Sequence, residues 1–221
     1  MMLRHFDQEL ENLIERLILM GRTVEEMIRE SVRALVERDE TILEEVFRRE
    51  AEVDRLLVEI DETCLSMLAL HQPMATDLRF IASAIKINAD LERMGDQAVN
   101  IAQRAKELVN QPPVKPLIDI PRMAELAQQM LRDSLEAFTE GDEGLALKVI
   151  LADDQVDNLR DQVFRELLTY MISDPITIPR AIQLILVSRH LERIADHATN
   201  IAEDVIYIVR GQDVRKPTPY T

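Results

Sequence analysis

Three side chains able to bind a cation recur at steps of four: Glu92, Asp96 and Asn100, and again Glu192, Asp196 and Asn200. They sit inside two near-copies, LERMGDQAVNIA at 91–102 and LERIADHATNIA at 191–202, in which eight of twelve positions are identical. Residues four apart share one face of a helix, so each carboxylate pair lies one turn apart, with the amide a turn beyond. Like charges at that spacing repel, which makes their recurrence informative. Two further acidic pairs, Glu50 with Asp54 and Asp153 with Asp157, carry the same step of four in another part of the chain.

The chemistry of such a set is cation binding. Oxygen donors of this kind suit hard or borderline ions (magnesium, calcium, manganese, iron, and zinc through carboxylate), and a carboxylate can bridge two ions into a multinuclear cluster. Asn100 and Asn200 could add an amide oxygen or hydrogen-bond to a ligand from behind. The alternative is neutralisation without metal, by Arg93 and Arg193 or by water on an exposed face. The residues alone leave both open. No histidine belongs to the pattern, because His190 aligns with Asp90 and His197 with Gln97. None of His5, His71, His190 and His197 has a Glu three residues earlier, so the Glu-x-x-His of ferritin-like di-iron enzymes is missing. A carboxylate-bridged metal enzyme is therefore the weaker reading. No Gly-rich phosphate loop is present, and Cys64 is expected to be buried and inert.

The elements that must position these acids follow from a longer repeat. MIRESVRALVERD at 27–39 aligns with MLRDSLEAFTEGD at 130–142, and the same offset carries Val53-Asp54 onto Val156-Asp157. After Asp77 the offset shrinks by three, because HQPMAT (71–76) is matched by the shorter DPI (174–176). Length changes belong in turns. Phe6, Leu10, Leu13, Leu17, Met20, Val24, Met27, Ser31 and Leu35 mark one stripe of a long amphipathic helix ending near Arg38. Asp39 and Asp142 are placed to cap the helices that follow. A second helix runs to about Leu70, and a third from about Ala75 to Asn110. The stretch QPPVKPLIDIP interrupts the pattern, with Pro121 suited to a first helical turn.

The expected fold is all-α, a tandem duplication of an antiparallel three-helix bundle with six long helices. The first repeat spans 1–110, a Pro-rich linker 111–120, and the second repeat with a short tail 121–221. In such a hairpin, level residues are equidistant from the turn. Asp54 and Glu92 are equidistant from Pro73, and so are Glu50 and Asp96. In the second repeat, Asp157 with Glu192 and Asp153 with Asp196 are symmetric about the Asp174–Pro175 bond. Each repeat therefore brings four carboxylates to one level, where they cannot all stay ionised without compensation.

Composition limits the partners. A formal charge of −15 disfavours nucleic acid and anionic lipid. MMLRHFDQEL has no signal-peptide core, no apolar stretch spans a bilayer, and one cysteine excludes an intrachain disulfide. We expect a cytoplasmic protein without membrane insertion.

The doubled motif, EAEVD at 50–54, DDQVD at 153–157, HQPMATDLR at 71–79 and the ending IYIVRGQDVR at 206–215 resemble the PhoU family of phosphate-specific transport accessory proteins. The resemblance covers nearly the whole chain. It implies a duplicated three-helix bundle, often dimeric, whose E(D)xxxD motifs hold multinuclear metal clusters, iron among them. These motifs fall on Glu50/Asp54, Glu92/Asp96, Asp153/Asp157 and Glu192/Asp196. It also implies a non-enzymatic negative regulator. Such a protein links the ATPase side of a phosphate ABC transporter to a sensor histidine kinase and restrains uptake when phosphate is plentiful.

Overall fold

The computed structural model describes residues 2–212, so the tail beyond Gln212 and the last part of the IYIVRGQDVR motif lie outside the described residues. Six helices follow in order: α1 (Met2–Glu37), α2 (Leu43–His71), α3 (Thr76–Val109), α4 (Asp119–Glu140), α5 (Glu143–Ser173) and α6 (Ile178–Arg210). Single 3₁₀ turns at Glu40–Ile42 and Pro175–Thr177 lead into α2 and α6. No strand occurs among the described residues. The fold is the duplicated helical bundle that the repeat implies.

Local chemistry sets the boundaries. Asp39 accepts the Thr41 N–H at 2.9 Å, Asp142 the Leu145 N–H at 3.0 Å, and Asp174 the Ile176 N–H at 3.1 Å. Each covers a donor that the start of a helix leaves unpaired. At the end of α4, Gly141 takes the left-handed conformation (φ 63°), which costs a glycine nothing. The aligned residue, Arg38, adopts φ 59° without that freedom. Its guanidinium donates to the carbonyls of Val109 and Gln111, tying the end of α1 to the end of α3. The helix after the linker begins at Asp119, with Pro121 in its first turn. Helix α4 is shorter than α1, 22 residues against 36.

The α1 stripe faces inward. Leu13, Leu17, Met20, Val24, Met27, Ser31 and Leu35 are buried, and Phe6 and Leu10 pack against the core's edge. Helices α3 and α6 form the spine: α3 packs on α1, α2 and α6, while α6 packs on α4, α5 and α3. On one side α1 also meets α4, so both repeats share one continuous core. At that crossing a Cβ on Gly21 would meet Leu135 Cδ1, the tip of a flexible side chain that would have to turn aside. The linker is pinned through Lys115, whose buried ammonium pairs with Glu166 of α5 and lies 3.7 Å from Asp119.

Candidate metal centre

Each repeat folds α2 onto α3, or α5 onto α6, through its turn, and this sets the acidic levels. In the first repeat Glu50 and Asp54 come from α2, Glu92 and Asp96 from α3. Glu50 is raised above the usual carboxylate value by partial burial, then by Asp54 and Asp96. Glu92 is raised by burial, then by Asp96 and Asp54 across the hairpin. The four groups therefore feel one another in the pairing expected from the turn geometry. No ion pair or hydrogen bond engages any of the four among the described residues.

The second level is built alike but is partly compensated. Asp153 is pushed up to about 6 by burial, then by Asp196, Asp157, Asp154 and Glu192. Asp196 is raised by partial desolvation, then by Glu192 and Asp157. Asp153 Oδ1 is buried with no hydrogen-bond partner, a costly position for a carboxylate oxygen. Here a guanidinium enters: Arg160 of α5 donates through Nη1 to Glu192 at 2.6 Å and sits 3.0 Å from Asp157.

One sequence expectation changes. Of Arg93 and Arg193, the candidates for neutralising the acids, neither forms an ion pair among the described residues, although Arg93 lowers Glu92 through its charge. Arg160, which has no counterpart in the first repeat, fills that role in the second. The histidines, which the sequence sets outside the acidic pattern, hydrogen-bond elsewhere. His197 Nδ1 lies 2.8 Å from Asp90 Oδ1, and His190 Nδ1 lies 2.8 Å from Gln97 Oε1, both across the α3–α6 seam. Exchanging the repeats turns one pair into the other, because His190 aligns with Asp90 and His197 with Gln97. Burial, with Arg193, Arg104 and Arg189, pushes His190 down to about 4, so it stays neutral at ordinary pH. Asn200 donates its amide to Asp90 at 3.3 Å, placing it on the same seam, whereas Asn100 makes no hydrogen bond among the described residues. Cys64 is fully buried and its thiol is pushed up to about 12, so it stays protonated at neutral pH.

The donor set fits hard cations. It is all carboxylate, it is uncompensated in one repeat and half-compensated in the other, and it leaves a buried oxygen orphaned. As the side chains stand, no three His, Cys, Asp or Glu groups among the described residues converge on one ion's position. Chelation therefore requires rotation of these side chains about their own bonds, which the half-open surface permits.

Comparison with known proteins agrees with this architecture. The family model described as the PhoU domain matches twice, over residues 17–105 and 120–205. This chain belongs to the PhoU family. The two matches coincide with the two three-helix units, so each repeat is one PhoU domain. The phosphate-specific transport system accessory protein PhoU homolog of Aquifex aeolicus is 46% identical over 208 residues, 94% of each chain. Its counterpart from Pseudomonas putida is 40% identical, over 96% of this chain and 83% of that one. The crystal structure of PhoU from Pseudomonas aeruginosa superposes with a TM-score of 0.89 at 40% identity, covering 94% of this chain and all of that one. The phosphate transport system regulatory protein PhoU from Streptococcus pneumoniae gives 0.87 at 30% identity, over 95% and 99%. These PhoU relatives are named as accessory and regulatory proteins, not as enzymes.

Proposed function

We propose that the chain is a non-enzymatic regulator of phosphate uptake and of phosphate-starvation signalling. In this reading it acts in the cytoplasm, where it joins the ATPase side of a phosphate ABC transporter to a sensor histidine kinase and holds the response off when phosphate is plentiful. The observation that carries the reading is near-full-length likeness to accessory proteins of phosphate transport, over 94% of both chains. Among the described residues no helix is long and apolar enough to cross a membrane, which suits a protein that docks onto a transporter from outside the bilayer. The acidic chain also suits a protein partner better than a nucleic acid. A homodimer is part of the proposal and rests on the family alone.

The metal reading belongs here too. Glu50, Asp54, Glu92 and Asp96 would hold ions in the first repeat, and Asp153, Asp157, Glu192 and Asp196 in the second. Asn100 and Asn200 would act from the next turn. The bound ion, whether iron, manganese, zinc or magnesium, supplies positive charge. The carboxylates contribute affinity, and α2–α3 and α5–α6 are braced as a result.

The regulatory test is genetic. Deleting the gene should switch on a phosphate-starvation reporter in phosphate-rich medium, and the intact chain should restore repression. A reporter that stays off in the deletion strain would overturn the reading. The metal test is elemental analysis of protein purified without chelator. Glu92→Ala/Asp96→Ala should lower metal content and melting temperature together. Wild-type protein that stays metal-free after loading with iron, manganese or zinc would reduce the acidic levels to solvated surfaces.

A further inference from the structure

The two acidic levels are not equivalent, and the difference lies in one dipeptide. Aligned on their acidic pairs, Asp54 with Asp157, the repeats place Leu57-Val58 opposite Arg160-Asp161. Leu57 packs against the core, and Val58 is exposed. The nearby arginine of the first repeat, Arg55, is committed to Glu59 at 2.7 Å. Among the described residues the first level thus has no cation bonded to it, although Arg93 lowers Glu92 through its charge. In the second, Arg160 Nη1 spans Asp157 and Glu192, one acid from each helix of the hairpin. The rest of the same guanidinium already rests on Asp161, with Nη2 at 2.9 Å and Nε at 3.1 Å from Oδ1.

We propose that Arg160 is a built-in competitor for metal, so that the first level loads at lower free metal and the second only when Arg160 swings away. This deepens, and rests on, the reading of the acidic levels as cation sites. Charge-assisted bonds of guanidinium to carboxylate are among the stronger ones in water-exposed protein, and an incoming ion must displace one such bond, to Glu192, together with the ion pair to Asp157. Displacement is feasible. Arg160 is 28% exposed, and its guanidinium has a second carboxylate partner in the more exposed Asp161. The occupant is a hard divalent cation, and the two repeats become a high-affinity and a low-affinity station within one chain.

The test titrates the full-length, chelator-treated chain with Mn²⁺ and counts free ion by electron paramagnetic resonance. Wild type should show two classes of site. The tighter should vanish in Glu92→Ala/Asp96→Ala, and the weaker in Glu192→Ala/Asp196→Ala. Arg160→Leu should tighten the weaker class about tenfold, the worth of roughly one charge-assisted bond. Leu57→Arg should weaken the tighter class in return. Arg160→Gln, which keeps polarity without charge, carries the test should the leucine variant fold poorly; Arg160→Lys should retain the inequality. Equal sites in wild type, unmoved by Arg160→Leu and Arg160→Gln, would overturn the role of Arg160 while leaving metal binding intact. No Mn²⁺ bound by wild type or any Arg160 variant would overturn the metal reading and this inference with it.

Discussion

At the scale of single residues, Asp153 carries an unrelieved cost. Its carboxyl is pushed up to about 6, and one of its oxygens is buried without a hydrogen-bond donor. The sign of the consequence is fixed. Between the ordinary carboxylate value and about 6, the folded state holds the proton more tightly than the unfolded chain, so this site's contribution to stability falls as pH rises. Asp153→Asn removes the charge and keeps the shape. In chelator-treated protein at pH 7 the variant should melt higher than wild type. Allowing for solvent screening, the gain should be about 3 °C, equivalent to roughly 1 kcal/mol in a chain of this size. The gap should close as pH is lowered toward 4 and wild-type Asp153 takes up its proton. With metal added, the order should reverse, because the variant has lost a ligand. Calorimetry at several pH values, with and without Mn²⁺, checks both halves. An unchanged melting temperature at pH 7 would mean that Arg160 already relieves the whole level.

At the scale of elements, the helices and their levels were readable because each rests on short-range rules. Asp39 and Asp142 could be recognised as caps since a carboxylate before an amphipathic run finds a free N–H within three residues. The acid levels followed from turn symmetry, and the mutual influence of Glu50 with Asp96 and of Glu92 with Asp54 agrees with it. The 3₁₀ turns before α2 and α6 were not readable, because a single tight turn has the same composition as a helix start. Arg160 is silent for a different reason: it is not repeated, so the duplication that marks the acids does not mark it. Its one signal is a basic side chain three residues after Asp157, the spacing of a helical ion pair. One cap can be tested directly. Asp142→Ala frees the Leu145 N–H at the start of α5 and should cost about 1 kcal/mol, while Asp142→Asn should cost little. Urea unfolding followed by circular dichroism distinguishes the two. Equal loss in both would place the contribution in the charge rather than in the hydrogen bond.

At the scale of the whole molecule, the decisive surface is the α3–α6 seam, which no loop rule points to, because α3 and α6 are far apart in sequence. Its polar fastenings lie on both sides of an approximate two-fold relation: Asp90 with His197, Gln97 with His190, and Lys86 with the buried Asp204 at 3.1 Å. The sequence does hold a trace of this. The positions at which one repeat carries Asp90 and Gln97 and the other His190 and His197 differ between copies because they face each other rather than the same environment. These facing pairs tie the two repeats to each other directly, beside the linker that Lys115 pins to α5. The consequence is testable by cutting the chain between Leu117 and Ile118. Each half alone would expose the seam face of α3 or α6, together with the inner ends of α1 or α4, to water. Separately produced halves should therefore keep helical content but lack fixed tertiary packing, and mixing them should restore a cooperative melt. Near-ultraviolet circular dichroism is little help in a chain without Trp and with few aromatics, so amide hydrogen exchange along α3 and α6 is the better readout. Slow exchange in the mixture and fast exchange in each half would show that the seam holds the repeats as one unit. Slow exchange in either half alone would show instead that each three-helix repeat is a self-sufficient domain, with the histidine pairs serving only to orient one against the other.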